Sequence, residues 1–495
     1  MTIHFDSIPA NRRVGSFIAE FSALRPAALT PLVQPAVILA QMREGSGAGT
    51  GVEGTKYLVT SKDQATGLFG AGLIAEAMVA AFLANAPGHE LYVIPAGDAG
   101  SSTAAAGTVT VTVSSNLAGS LYLRVAGRLV GGAPIPTTAA QSAISIAAAI
   151  AAAVNADTTL PVTAAVGSSP DDNVVTLTAK CKGTVGNQIT LSMNARGAQA
   201  GEVNPSGVTT ALSGALLTGG ATDNAASIFV NALGSATGFD VIAWQNSDST
   251  VLDALKTEVV DRWDYDRALD GVVIAAKMDS VADLNTFGSG RADRLLSAAG
   301  YPESANWLTP AYEVAAAYAG LVASAMAADP GAPIQGRTLR GVWPGTPCSD
   351  AEANSLAIHG IAPLAVEAGE VVVALEAVTS ATSAAAEDIQ IPFLLSRFRR
   401  RMRNRVKVEF PRHKLADDDQ PIPGGSAIAT PALVKGVLVG EYAAMVTDGL
   451  MQALKGFEGS IVVEQSADNP DRLDVYVEPT LIEQLRIVAM RISGV

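Results

Sequence analysis

The chain is poor in the residues that build reactive sites. Its 495 residues include two cysteines, Cys181 and Cys348, and four histidines. Two distant cysteines make no disulfide framework, and with four scattered histidines they make no Cys/His metal cluster. That usage suits a reducing cytoplasm. Charged residues are only 16% of the chain, and the net charge is −14. A free nucleic-acid binder is usually basic, so DNA and RNA are not expected as direct partners. The opening MTIHFDSIPANRRVGSF lacks the apolar core of a signal peptide. The longest bland run, residues 143–154, is Ala-rich and falls short of the ~20 apolar residues that span a bilayer. A soluble protein without membrane insertion or a secretion signal is expected.

What is present is ample core material. Apolar residues make up 48% of the chain, and its length implies two to four folding units, at roughly 100–200 residues each. The N-terminal stretch is unusual. Phe17, Ile18 and Phe21 lie among Pro9, Pro26, Pro31 and Pro35, and proline favours extended chain before it. Residues 1–30 read as an extended arm. A frayed terminus or an edge strand of the subunit's own sheet fits equally well.

An α/β texture follows over residues 31–100. Ala36-Val37-Ile38-Leu39-Ala40 is a buried-strand run, and Tyr57-Leu58-Val59 is a second. Ser61 and Gln64 have capping-box spacing. Phe69, Leu73, Ala77 and Ala81 then recur at four-residue steps, which predicts one helix ended by Pro87-Gly88. Leu91-Tyr92-Val93-Ile94 completes a strand–helix–strand unit.

Residues 101–219 alternate with period two: Val109, Val111 and Val113, then Leu121, Leu123 and Val125, then Val175 and Leu177, then Ile189, Leu191 and Met193. This predicts an inserted, mostly β domain. One helix interrupts it, capped by Thr138 and Gln141 and carrying Ile144, Ala147, Ile150 and Val154. The α/β texture resumes over 220–385. Residues 239–244 and 271–276 are apolar runs, with a helical face of Leu252, Leu255, Val259 and Trp263 between them. Thr309 and Pro310 start another helix. Ser349 and Glu352 cap a further one, ended by Gly360. A linker is expected at 379–387.

Beyond it lies a smaller α+β unit, residues 386–479. Leu394, Phe398, Met402 and Val406 form a stripe, with Arg397, Arg400, Arg401, Arg403 and Arg405 on the remaining faces. This basic helix reads as a solvated face or as a docking face for an acidic protein, with nucleic acid a distant third. A second helix is expected over 431–454, then strands over 460–464 and 472–477. Residues 480–495, with Leu485, Ile487 and Val488, read as a strand without a partner.

Chemical motifs are weak. Gly45-Ser46-Gly47-Ala48-Gly49-Thr50-Gly51 follows a strand but no helix opens directly after it, and the Walker lysine and hydroxyl are missing, so no phosphate site is expected. His4, His89, His359 and His413 are not placed for a triad, and no serine sits in a Gly-x-Ser-x-Gly elbow. No catalytic residue, cofactor or metal is expected. An α/β hydrolase-like enzyme with an added β domain is one reading, and a structural protein such as a capsid subunit is another.

Three segments carry a resemblance. Pro411-Arg412-His413-Lys414-Leu415 runs on into Ala416-Asp417-Asp418-Asp419. Residues 464–475 read EQSADNPDRLDV, and residues 485–488 read LRIV. With the opening residues 3–9, IHFDSIP, these are similar to Mu-like phage tail sheath proteins. The resemblance is most specific over 388–495. It implies a subtilisin-like sheath core without subtilisin's catalytic motifs, an inserted decoration, and a C-terminal domain nearest the tube. It implies terminal arms, including Phe17, Ile18, Phe21, Leu485, Ile487 and Val488, that complete sheets in neighbouring copies. It also implies hexameric rings stacked helically on a tail tube, with baseplate and tail terminator proteins as further partners. The expected place is the virion tail, assembled in the host cytoplasm, and the expected task is contraction that drives the tube through the host envelope.

Overall fold

The computed structural model describes residues 31–492, apart from 46, 116, 235, 303–305, 380–386, 422–426 and 470. The arm residues Phe17, Ile18 and Phe21, and nearly all of the expected 379–387 linker, lie outside the described residues. The described chain falls into two compact units. One holds residues 33–396 and 483–492, the other residues 31–32 and 397–482.

The larger unit is built on an eight-stranded sheet. Its strands run in the order Glu370–Val373, Ile361–Glu367, Leu296–Pro302, Val272–Asp279, Val241–Trp244, Ala36–Gln41, Leu91–Ala96, Tyr57–Leu58. The six inner strands are parallel, and the two outermost pair antiparallel. Both faces are covered, which is why the central strands are apolar over most of their length. Ala36, Ile38 and Ala40 face one core, and Val37 and Leu39 face the other.

On the first face the Ile74–Asn85 and Ala311–Ala328 helices pack on the sheet and on each other. Ala311–Ala328 is, among the described residues, the one helix long and apolar enough to cross a membrane, yet 78% of it is buried inside this core. The opposite face carries Ala226–Leu233 and Ser249–Trp263, which bring Phe229, Leu252, Leu255 and Val259 onto Trp244 and Phe239.

The single helix expected after Ser61 is two, Lys62–Phe69 and Ile74–Asn85. Gly70 and Gly72 take φ of 87° and 71°, a region that side chains disfavour. A Cβ on Gly72 would lie 2.5 Å from the Leu160 and Thr158 carbonyl oxygens. The break therefore admits a loop of the β-rich segment. Within that segment, Ala104–Val113 and Val174–Lys182 are central to a four-stranded antiparallel sheet. Its helix, Ala143–Ala156, is capped by Ser142 rather than by Thr138 and Gln141. It buries Ile146, Ala147, Ile150 and Val154, whereas Ile144 is exposed. Ile146, two positions on, takes the place expected for Ile144.

In the smaller unit the rings of Phe398, Tyr442 and Phe457 form the core, with Tyr442 and Phe457 stacked at 3.7 Å. The helix expected over 431–454 ends at Thr447, where Gly449 takes φ of 73°. A short helix, Leu454–Ser460, follows. Val462–Gln465 and Leu473–Tyr476 then form an antiparallel hairpin. Tyr442 donates its hydroxyl to the Gln452 carbonyl at 2.7 Å and accepts from the Thr480 amide at 3.0 Å. This fixes the strand Thr480–Leu481 against Met451–Gln452.

Candidate functional site

In an open α/β sheet, small ligands bind at the carboxyl ends of the strands, where the strand order switches direction. Here that point lies between Ala36–Gln41 and Val241–Trp244, and it is filled. The Gln41 amide donates to Gln245 Oε1 at 2.6 Å, and Gln41 Nε2 donates to the Lys182 carbonyl at 2.9 Å. Gln188 Nε2 reaches the Gln245 carbonyl at 3.2 Å and Asn246 Oδ1 at 3.1 Å, while its Oε1 accepts from the Tyr312 amide at 2.9 Å. Gln41, Gln245 and Asn246 are buried. Residues of the β-rich segment thus seal the crevice that an enzyme of this architecture would use. Sequence reasoning missed these glutamines, because nothing local marks a residue that bonds across 141 positions.

The glycine-rich loop has the wrong polarity for phosphate. Its Thr50 and Gly51 amides donate to the Gly67 and Leu68 carbonyls, at the C-terminal end of the Lys62–Phe69 helix. His359 Nδ1 sits 2.7 Å from the Ser355 carbonyl of its own helix. Burial among groups such as Phe82 lowers the basicity of His89. His4 lies outside the described residues. Among the described residues no group of three His, Cys, Asp or Glu side chains is placed to hold a metal.

The surfaces suited to contact are at the C-terminal end of the chain. The basic helix is Gln390–Glu409. Its arginines are not equivalent. Arg400 is only 3% exposed and donates to the Leu32 carbonyl at 3.2 Å. Arg401 is paired with Glu441 and Asp448. Arg397 is half-buried and Arg405 pairs with Glu409 at the surface. Arg403 and Arg405 are the exposed members of the set.

Residues 483–492 have no regular secondary structure, where a strand was expected, and they belong to the larger unit. Arg486 donates to Asp388 Oδ1 at 2.6 Å and to Glu376 Oε1 at 2.9 Å. Leu485, Ile487, Val488, Met490 and Ile492 are 76–85% exposed. The side chains of Gln484 and Arg486 face inward, while those of Leu485 and Ile487 face solvent. In the smaller unit, the hairpin exposes Val462, Val475 and Tyr476.

No family model matches the chain. A curated relative, the Mu-like prophage FluMu tail sheath protein of Haemophilus influenzae, is 30% identical over 504 aligned positions, covering 100% of this chain and 99% of the relative. Among solved structures, the sheath tail protein of Desulfitobacterium hafniense gives a TM-score of 0.49 at 12% identity, covering 95% of this chain and 98% of that one. The anti-feeding prophage helical sheath in its contracted state gives 0.46 at 11% identity, with 97% and 98% covered. The identity to the Haemophilus influenzae protein, end to end over both chains, is decisive: the chain belongs to the Mu-like prophage tail sheath family.

Proposed function

We propose that this chain is the subunit of a contractile sheath that polymerises helically around a tail tube and drives it through the host envelope. The full-length family match supports the sheath role. The observation that carries the mechanism is the C-terminal segment, whose five large apolar side chains lie open to solvent. A soluble subunit keeps such a segment only where another molecule covers it. The partner is a second copy. A short two-stranded hairpin offers strand edges for β-augmentation, and a head-to-tail contact of this kind builds rings and helices.

The proposed layout is an N-terminal arm (1–30), a subtilisin-like sheath core (31–100 and 220–385), an inserted β domain (101–219), a C-terminal α+β domain (386–479) and a C-terminal arm (480–495). The arms, with Phe17, Ile18 and Phe21 at one end and Leu485, Ile487 and Val488 at the other, tether copies while the cores slide. Contraction needs two packings of one polymer, the extended one metastable. A release of ~2 kcal/mol per subunit, the order of one or two good contacts, sums to ample work over hundreds of copies. Hexameric rings, a tail tube, a baseplate and a tail terminator complete the proposed assembly, formed in the host cytoplasm and ending in the virion tail. Arg403 and Arg405 supply the proposed tube-facing charge, in weak contacts of ~0.2–1 kcal/mol each that release readily.

Negative-stain microscopy of the chain co-expressed with its cognate tube protein tests this. Striated sheath around tubes is expected. Bare tubes beside monomeric subunits overturn the proposal.

A further inference from the structure

Along the C-terminal segment exposure alternates up to Arg486, with Leu485 open to solvent, and is uninterrupted beyond it. Gln484 and Arg486 are half-buried, with Gln484 Nε2 donating to the Gly331 carbonyl at 3.3 Å. Every described residue from Ile487 to Ile492 is exposed. The boundary coincides with a buried ionic socket. Glu376 has no exposed surface. Its Oε1 accepts from the Ile334 amide at 2.9 Å, from Gln390 Nε2 at 2.5 Å and from Arg486 Nη2 at 2.9 Å. Its Oε2 is buried without a hydrogen-bond partner. Asp388 takes the other arm of the guanidinium.

We infer that Arg486 is the fixed root of the C-terminal arm: it stays in the Glu376–Asp388 socket of its own subunit, and only the residues after it pass to a second copy. This rests on the sheath reading and adds where the exchanged segment begins. Withdrawing one partner of a buried pair is strongly destabilising, because it strands an uncompensated charge. Withdrawing the exposed apolar side chains from water onto a neighbour is favourable. The two terms set opposite preferences on either side of residue 486. The described exchangeable stretch, residues 487–492, spans about 20 Å when extended, and Arg486 fixes its point of departure through every rearrangement of the lattice.

Three full-chain comparisons test the root. A chain ending at Arg486 is expected to melt with the wild-type subunit yet form no sheath. Arg486→Ala is expected to lower the melting temperature of the free subunit by about 3–6 °C and to open residues 484–486 to hydrogen exchange. Mixing Arg486→Ala with Glu376→Gln subunits is expected to leave assembly at the level of either alone. Recovery of sheath on mixing overturns the inference, since it means that Arg486 of one copy fills the socket of another. An unchanged melting temperature for Arg486→Ala overturns it as well. If Glu376→Gln does not fold, Asp388→Asn takes its place in the mixing experiment with the same two outcomes. Wild-type subunits that make no sheath on their tube defeat the sheath reading instead, while the melting comparison still reports on the socket.

Discussion

Arg401 Nε donates 2.6 Å to Glu441 Oε1, which joins the basic helix to the Pro431–Thr447 helix inside the smaller unit. Asp448 takes Nη1 of the same guanidinium. One of the five arginines of the basic helix is thereby a structural tie, and the buried Arg400 is a second.

The basic helix should therefore split under charge reversal. Arg403→Glu with Arg405→Glu is expected to weaken attachment to the tube, more so at low salt, with the subunit's stability unchanged within ~0.5 kcal/mol. Arg401→Glu is expected to cost ~1–3 kcal/mol, because it sets a third carboxylate beside Glu441 and Asp448. Co-sedimentation with tubes and denaturant melts separate the two. Equal attachment by the double variant at all salt concentrations counts against a tube-facing role.

Two helix glycines should respond with opposite sign. A Cβ on Gly320 would meet the Phe82 carbonyl oxygen at 2.5 Å, where the Ala311–Ala328 and Ile74–Asn85 helices pack together. Gly320→Ala is expected to destabilise by ~1–3 kcal/mol through overpacking. At Gly436, inside Pro431–Thr447, an added Cβ meets nothing within 4 Å. Gly436→Ala is expected to stabilise by ~0.4–1 kcal/mol, mainly by restricting the unfolded chain. Urea melts of the two variants check the pair.

Acid should loosen the β-rich segment at a specific contact. Arg124 and Glu202 are both buried and pair at 2.6 Å, and Arg124 also stacks on Trp343 at 4.8 Å. Burial opposes ionisation of Glu202, but the Arg196 amide and the Arg124 guanidinium outweigh it, so the carboxyl titrates below its usual range. A depressed folded pKa gives stability that is present above the unfolded value, near ~4.3, and is lost as pH falls through the folded value. Glu202→Gln is expected to lower the melting temperature at pH 7 and to narrow its gap from wild type below pH 4. A constant gap across that range argues against the pair.

The Cys181 thiol should be inert in the native subunit. Cys181 is fully buried, and burial pushes its pKa up to about 12; the thiolate is the reactive form. Native subunit at pH 8 is expected to leave Cys181 unalkylated by iodoacetamide until denaturant is added, read by peptide mass spectrometry. Labelling of Cys181 in the native state means that the β-rich segment opens.

What the sequence by itself determined was local and periodic. The apolar runs at residues 36–40 and Val241–Trp244 are legible as strands because a strand covered on both faces is apolar along most of its length. The Ser349–Glu352 capping box was legible because both of its bonds close within one helical turn. Only the tertiary structure decided which polar groups lie inside. The break at Gly70 and Gly72 depends on a loop about 90 residues away, and Gln188 seals a crevice formed by Gln41 and Gln245. Arg486 reaches a glutamate 110 positions earlier. Burial of a polar side chain requires a partner that the fold must bring to it, and no local pattern in the chain records where that partner will come from.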